Sequence, residues 1–231
     1  MEIVDFHAHV LPHMDHGSTR TETAVRQLAL IHGAGVDTVC ATSHFYPQDV
    51  LPAVFLEQRQ ESLTHLLRAC GSTPRPKIIL GAEVLICPSM EEMEGLEGLC
   101  PEGSRFLLLE MPFTKSGWDR SLYRTIHEIM GRGIKPVLAH VDRYPAQLIE
   151  DLFDMGLQGQ INAASMTAGL FKPKSLLRWI REGRIVAFGS DLHGSDPRGY
   201  APFTKLRKQY PDLFGSVMEA TATLLKDVKR Y

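Results

Sequence analysis

Two stretches of this chain place a second metal-ligating side chain two positions after the first. They are Asp5-Phe6-His7-Ala8-His9 and Ser190-Asp191-Leu192-His193. In an extended strand, residues i and i+2 face the same side. His7 and His9 are therefore expected to point together, as are Asp191 and His193. Neutral imidazole nitrogen is a good donor to divalent transition metals. Four single residues continue the pattern, each directly after a short apolar run: His44, Glu83, Glu110 and His140.

Crowding carboxylates and imidazoles costs free energy unless a cation compensates them. Strand C-terminal ends are where the catalytic residues of (β/α) barrels sit. The set therefore predicts a metal site at the mouth of a barrel. Its ligands are His7, His9, His44, Glu83, Glu110, His140, Asp191 and His193. A ninth is expected from the loop Leu11-Pro12-His13-Met14-Asp15-His16-Gly17. His16 is preferred there, Asp15 is the alternative and His13 is read as solvated. A mixture of His and carboxylate suits Mn, Fe or Zn better than Ca. Arg143 and Arg198 are candidates to grip phosphate oxygens as bidentate forks. His193 is also a candidate to assist proton transfer. Phe45, Tyr46 and Trp118 are aromatic candidates for lining a substrate route. His32, His65 and His127 fall on predicted helices and are read as surface or packing residues.

The elements that must hold these groups are short apolar runs alternating with stretches of helical period. The runs are 3–6, 38–42, 78–82, 106–109, 136–139, 160–162 and 185–189. Helices are predicted over 21–32, 53–70, 120–130, 145–155, 174–182, 201–209 and 213–228. Ala24, Leu28 and Ile31 form one face of the first. Glycines at 33, 35, 131 and 133 stand where helices should close. Strand and helix in repetition imply a parallel sheet. Seven runs fit a distorted (β/α)7 barrel occupying 1–231 as a single domain, with an open doubly wound sheet as the alternative. A titratable residue follows the end of six of the seven runs, and only 160–162 lacks one.

Composition narrows the function classes. The 231 residues are 44% hydrophobic and 23% charged, with a net charge of −2. That is a globular balance with no overall field for nucleic acid or an anionic membrane. No apolar stretch approaches the roughly 20 residues of a membrane span. The N-terminus lacks the basic start and apolar core of a signal peptide. A cytoplasmic location is expected. Cys40, Cys70, Cys87 and Cys100 form no C-x-x-C pair. The residues six positions after them are Tyr46, Pro76, Met93 and Phe106, so the Arg of a cysteine-phosphatase loop is missing.

The motifs resemble those of the PHP superfamily, named for polymerase and histidinol phosphatase. Asp5-Phe6-His7-Ala8-His9, Thr42-Ser43-His44, Gly81-Ala82-Glu83, Ala139-His140 and Ser190-Asp191-Leu192-His193 carry the resemblance over almost the whole chain. Within it, His7-Ala8-His9-Val10-Leu11-Pro12 with Gly17, and His140 with Arg143-Tyr144, look like the bacterial capsule-operon tyrosine phosphatases. Two places differ. Asp15-His16-Gly17 stands where that family usually has Asp-Asp-Gly, and Val141-Asp142 where it commonly has Pro-Glu. The resemblance implies a PHP-type barrel and two or three divalent ions, with Mn2+ favoured. It also implies a phosphotyrosine protein as partner, a bacterial tyrosine kinase that controls polysaccharide export. Three other readings stay open: a phosphatase for histidinol phosphate or another small phosphomonoester, a metal-binding module without turnover, and a C–N hydrolase on a related barrel. The last often uses a carboxylated lysine, and no Lys directly follows a predicted strand.

Overall fold

The computed structural model describes residues 1–114, 117–168 and 174–231. All seven apolar runs are strands, and three of the strands continue, after a two-residue break, into a second short strand. The strands are β1 (Val4–His9), β2 (Thr38–Ala41), β3 (His44–Phe45), β4 (Lys77–Leu80), β5 (Glu83–Leu85), β6 (Phe106–Glu110), β7 (Lys135–Leu138), β8 (Gln158–Asn162), β9 (Ile185–Gly189) and β10 (Leu192–His193). The helices are α1 (Thr21–Gly33), α2 (Pro52–Cys70), α3 (Arg120–Gly131), α4 (Ala146–Asp154), α5 (Ala163–Thr167), α6 (Lys174–Arg181), α7 (Pro197–Gln209) and α8 (Pro211–Leu224).

Every strand pairing is parallel. One sheet runs β10-β1-β2-β4 and the other β3-β5-β6-β7-β8-β9. Neighbours follow chain order, without the reversal that marks a doubly wound sheet. β2 passes into β3 across Thr42 and Ser43, β4 into β5 across Gly81 and Ala82, and β9 into β10 across Ser190 and Asp191. The same three runs thus contribute to both sheets. Backbone bonds bind the breaks to neighbouring strands: Thr42 N–H donates to Ala8 O (3.0 Å), Gly81 N–H to Ala41 O (2.9 Å) and Asp191 N–H to His7 O (2.7 Å).

Strand β1 is buried on both faces, as a parallel strand covered on each side must be. It extends through His9, so the His-x-His pair lies within the strand rather than after it. α1 buries Ala24, Leu28 and Ile31 as expected, with Gln27 beside them. α7 begins at Pro197, four residues before the predicted start. The Asp196 side chain caps it by accepting the Arg198 N–H at 2.9 Å, and Pro197 occupies the first turn. Pro202, expected near the start of this helix, is accommodated inside it. The short α5 was not expected. Phe45 is fully buried against Phe55, at 5.2 Å between ring centroids, and so belongs to the core rather than to a substrate route.

Gly189 shows how closely the strands approach beneath the site. A Cβ there would lie 2.5 Å from His7 Cβ and 2.7 Å from Gln160 Nε2. Gly189→Val is expected to lower stability by about 1–3 kcal/mol through overpacking. Gly215→Ala, in α8 where an added Cβ meets nothing within 4 Å, is expected to raise it by about 0.5–1 kcal/mol. Calorimetric melting of the two variants checks both signs.

Candidate metal centre

Glu83, the first residue of β5, lies at the middle of the cluster and is buried. Its Oε2 is 3.1 Å from His7 Nε2, 3.3 Å from His9 Nε2 and 3.1 Å from His44 Nδ1. Its Oε1 is 2.7 Å from His140 Nε2. Glu110, the last residue of β6, lies 3.5 Å from His140 Nε2 and 3.9 Å from His44 Nδ1. Asp191 Oδ1 is 3.4 Å from His9 Nε2, and 3.6 Å from both His7 Nε2 and His193 Nδ1. Eight of the nine expected ligands therefore converge.

The hydrogen bonds behind the rings decide which nitrogens face inward. His7 Nδ1 is 3.1 Å from Gln160 Oε1, and His9 Nδ1 is 2.8 Å from Asp15 Oδ2. Both partners only accept, so each Nδ1 carries the proton. The two Nε2 atoms are then lone pairs, 3.2 Å apart, facing the Glu83 carboxylate. Glu83 Oε2, His44 Nδ1, His140 Nδ1 and His193 Nε2 make no hydrogen bond, though all are buried atoms. Buried acceptors that face one another without a donor, as Glu83 Oε2 and His44 Nδ1 do at 3.1 Å, are unfavourable unless a proton or a metal ion joins them. The donor set fits divalent ions. Among the described residues, three groups of ligand atoms lie close enough together to hold one: His7, His9, Glu83 and Asp191; His44, Glu83 and Glu110; His9, His44 and His193.

Charge follows the same logic. Burial alone would lower the pKa of His140, but hydrogen bonds to Glu110 and Glu83 outweigh it and push it up to about 9. His9 is also desolvated, yet Asp15, Asp191 and Glu83 raise it well above the ordinary histidine value. Burial works against the charge of Glu83 and Asp191 too, and the attraction of His7 and its neighbours holds both well below the carboxylate range. Protons on imidazoles are what balance these carboxylates when no other cation does.

The loop after β1 behaves differently from expectation. His16 is exposed and stacks on His193 and His44, at 4.6 and 5.1 Å between centroids, and it belongs to none of the three ligand groups among the described residues. Asp15 stands behind His9, and its Oδ2 also accepts the His44 N–H at 3.0 Å. It orients two candidate ligands. Arg143 is half exposed and pairs with Asp191 Oδ2 at the rim. Arg198 is not brought to the cluster: it is 91% exposed and its guanidinium is engaged by Asp196 at 2.8 Å.

Several residues that set the geometry were missed. Gln160 accepts from His7 Nδ1 and, at 2.7 Å, from the His140 N–H. Its Nε2 donates to Asn162 Oδ1 at 2.9 Å, and Asn162 Nδ2 donates to Asp191 Oδ2 at 3.1 Å. These amides fill the one strand that lacked a titratable end. Asp5 accepts from Ser190 Oγ (2.6 Å) and Tyr200 OH (3.0 Å), fixing the turn that carries Asp191. Its i−2 spacing from His7 was the available signal. His140 and Asp191 both adopt left-handed backbone, at φ 31° and 52°, a conformation disfavoured outside glycine.

The family model for capsular polysaccharide synthesis, CpsB/CapC, matches residues 3–209. The chain belongs to the CpsB/CapC family. It is 28% identical over 218 residues to the tyrosine-protein phosphatase CpsB of Streptococcus pneumoniae, covering 85% of each chain. It is 24% identical over 211 residues to the tyrosine-protein phosphatase YwqE of Bacillus subtilis, covering 86% of this chain and 80% of YwqE. Among solved structures it resembles one from the study of YwqE from B. subtilis and CpsB from S. pneumoniae, described as unique metal-dependent tyrosine phosphatases. The TM-score is 0.78 at 23% identity, over 99% of this chain and 97% of that one. A TatD-family hydrolase from Entamoeba histolytica shares the fold at TM-score 0.58 and 10% identity, over 99% and 98% of the two chains. CpsB/CapC membership thus goes with an α/β fold of parallel sheets like those of TatD-type hydrolases.

Two outcomes are expected of the donor set in this family member. Gln160→Leu, which removes the acceptor shared by His7 and His140, should weaken Mn2+ binding by about 10–100-fold with the circular dichroism unchanged. Calorimetric titration with Mn2+ measures it. Loading metal-stripped protein near pH 7 should release protons into weak buffer, on the order of one per ion, because His140 titrates at about 9 and Asp15, Asp191 and Glu83 raise His9 against its burial. Loading with no proton release would show the imidazoles to be neutral beforehand.

Proposed function

We propose that this chain is a metal-dependent protein-tyrosine phosphatase whose substrate is a phosphotyrosine protein, a bacterial tyrosine kinase governing capsular or exopolysaccharide synthesis. CpsB/CapC membership and the relatives named tyrosine-protein phosphatases support the substrate class. The observation that carries the chemistry is the Glu83 carboxylate facing four imidazoles.

In this reading residues 1–231 act as one catalytic domain. The two sheets are successive arcs of a distorted seven-stranded barrel, joined where β2, β4 and β9 continue into β3, β5 and β10. His7, His9, His44, Glu83, Glu110, His140, Asp191 and His193 hold two or three divalent ions, with Mn2+ preferred. Such ions supply Lewis acidity and lower the pKa of water. Asp15 and Gln160 keep Nε2 of His9 and His7 turned inward. Arg143 is the phosphate grip: its guanidinium lies at the rim, already aligned on a carboxylate oxygen, and exchanges Asp191 for a phosphate oxygen. His193 Nδ1 is held by Asp191 O at 3.0 Å, so only Nε2 is left. A His193 that holds an ion therefore passes no proton. Departure of the phenolate, whose conjugate acid has a pKa of about 10, does without a dedicated acid. No helix among the described residues is long and apolar enough to cross a membrane. The proposed setting is cytoplasmic.

The test is hydrolysis of a phosphotyrosine peptide by metal-stripped protein with and without Mn2+. Turnover is expected only with metal, and His44→Ala and His140→Ala should lose it while remaining folded. Metal that binds without turnover of the peptide, but with turnover of small phosphomonoesters, would overturn the tyrosine assignment.

A further inference from the structure

On the Glu110 side of the cluster the surface opens into a cleft of about 480 Å3. It reaches Glu110 at its inner end, and its walls include Tyr46, Ile86, Cys87, Phe113 and Leu122. That volume accommodates an aromatic side chain as well as a phosphate. The Tyr46 ring stacks on His44, at 5.3 Å between centroids and 15° between planes. The Phe113 ring stacks on His140 at 5.8 Å and 19°, and on Tyr144 at 5.6 Å and 24°. His44 and His140 are the two imidazoles that contact both Glu83 and Glu110. The two rings thus stand at the point where the cleft meets the cluster.

Phe113 is 62% exposed, so much of its ring is open to be buried against a bound apolar group. Its segment is tied in place. The Tyr144 hydroxyl donates to Met111 O at 2.9 Å and accepts the Met111 N–H at 3.1 Å, and Trp118 Nε1 donates to Pro112 O at 2.6 Å.

We propose that this cleft receives the aromatic ring of the substrate, with Tyr46 and Phe113 as walls that select aryl over alkyl phosphoesters. The proposal rests on the phosphatase reading above. With its phosphate at the cluster, a phosphotyrosine side chain lays its ring along the cleft and leaves the substrate backbone at the rim. A phosphoserine is shorter by the ring, so the same phosphate position draws its backbone against Phe113. Offset or edge contacts between rings add to the gain from burial. Selection is by reach and ring contact, since phosphate charge is common to both esters.

Hydrolysis of a phosphotyrosine peptide and of glycerol 2-phosphate by the Mn2+-loaded protein and by Phe113→Ala tests it. The variant is expected to raise KM for the peptide about tenfold while leaving the alkyl ester no poorer a substrate. Equal loss on both esters, or no change on either, overturns the proposal. A second readout needs no turnover. Cys87 is the half-buried thiol on the cleft wall, whereas Cys40, Cys70 and Cys100 are buried. Phenylphosphonate, unlike methylphosphonate, is expected to slow alkylation of Cys87 by N-ethylmaleimide, and Phe113→Ala to remove that shielding. Absence of shielding by phenylphosphonate overturns the ring site even where phosphotyrosine is hydrolysed. Shielding in a protein that hydrolyses neither ester upholds the ring site and overturns the phosphatase reading instead.

Discussion

A buried carboxylate that faces four imidazoles is the constraint on which the rest of this structure depends. Glu83 contacts His7, His9, His44 and His140, which come from β1, β3 and the turn after β7. A charge so placed cannot be tolerated alone. Either protons or metal ions must balance it, and the surrounding bonds bias that choice. Asp15 and Gln160 fix the tautomers of His9 and His7, so two lone pairs point at the same carboxylate. Two neutral amides, Gln160 and Asn162, then connect His7 to Asp191. Such partners behind the ligands are as much part of a metal site as the ligands are.

The parts of this arrangement legible in sequence were those with a period. Strand alternation placed His7 with His9, and the apolar runs located His44, Glu83, Glu110, His140 and Asp191 at strand ends. All seven runs are strands, and the buried stripe of α1 follows its predicted face. Boundaries were less legible. α7 starts at a cap, Asp196-Pro197, that outweighs the proline deeper in the helix. The loop after β1 has no period, so its register could not be inferred. There a choice between Asp15 and His16 depended on which side chain turns inward; Asp15 reaches in behind His9, and His16 stacks on the exposed side of His44 and His193.

Arg143 and Arg198 illustrate the same limit. Both lie a few residues past a strand-end ligand, and charge alone does not distinguish them. A short helical turn over Val141–Arg143 carries one to the rim against Asp191, while the other is held by the cap of its own helix. Gln160 and Asn162 were invisible for another reason. Amides do not titrate, and a search for charge passes over them even where they organise it.

The strand breaks have a consequence for how this chain can change. His44, Glu83 and His193 each lie just beyond a break, on a segment of two or three residues that enters the other sheet. Side-chain direction in a strand alternates with every residue. One residue gained or lost at 42–43, 81–82 or 190–191 would turn a ligand to the opposite face while leaving the preceding strand intact. The outer loops joining helices to strands carry no such requirement. Length is therefore rigid at three dipeptides near the site and free to drift around the periphery.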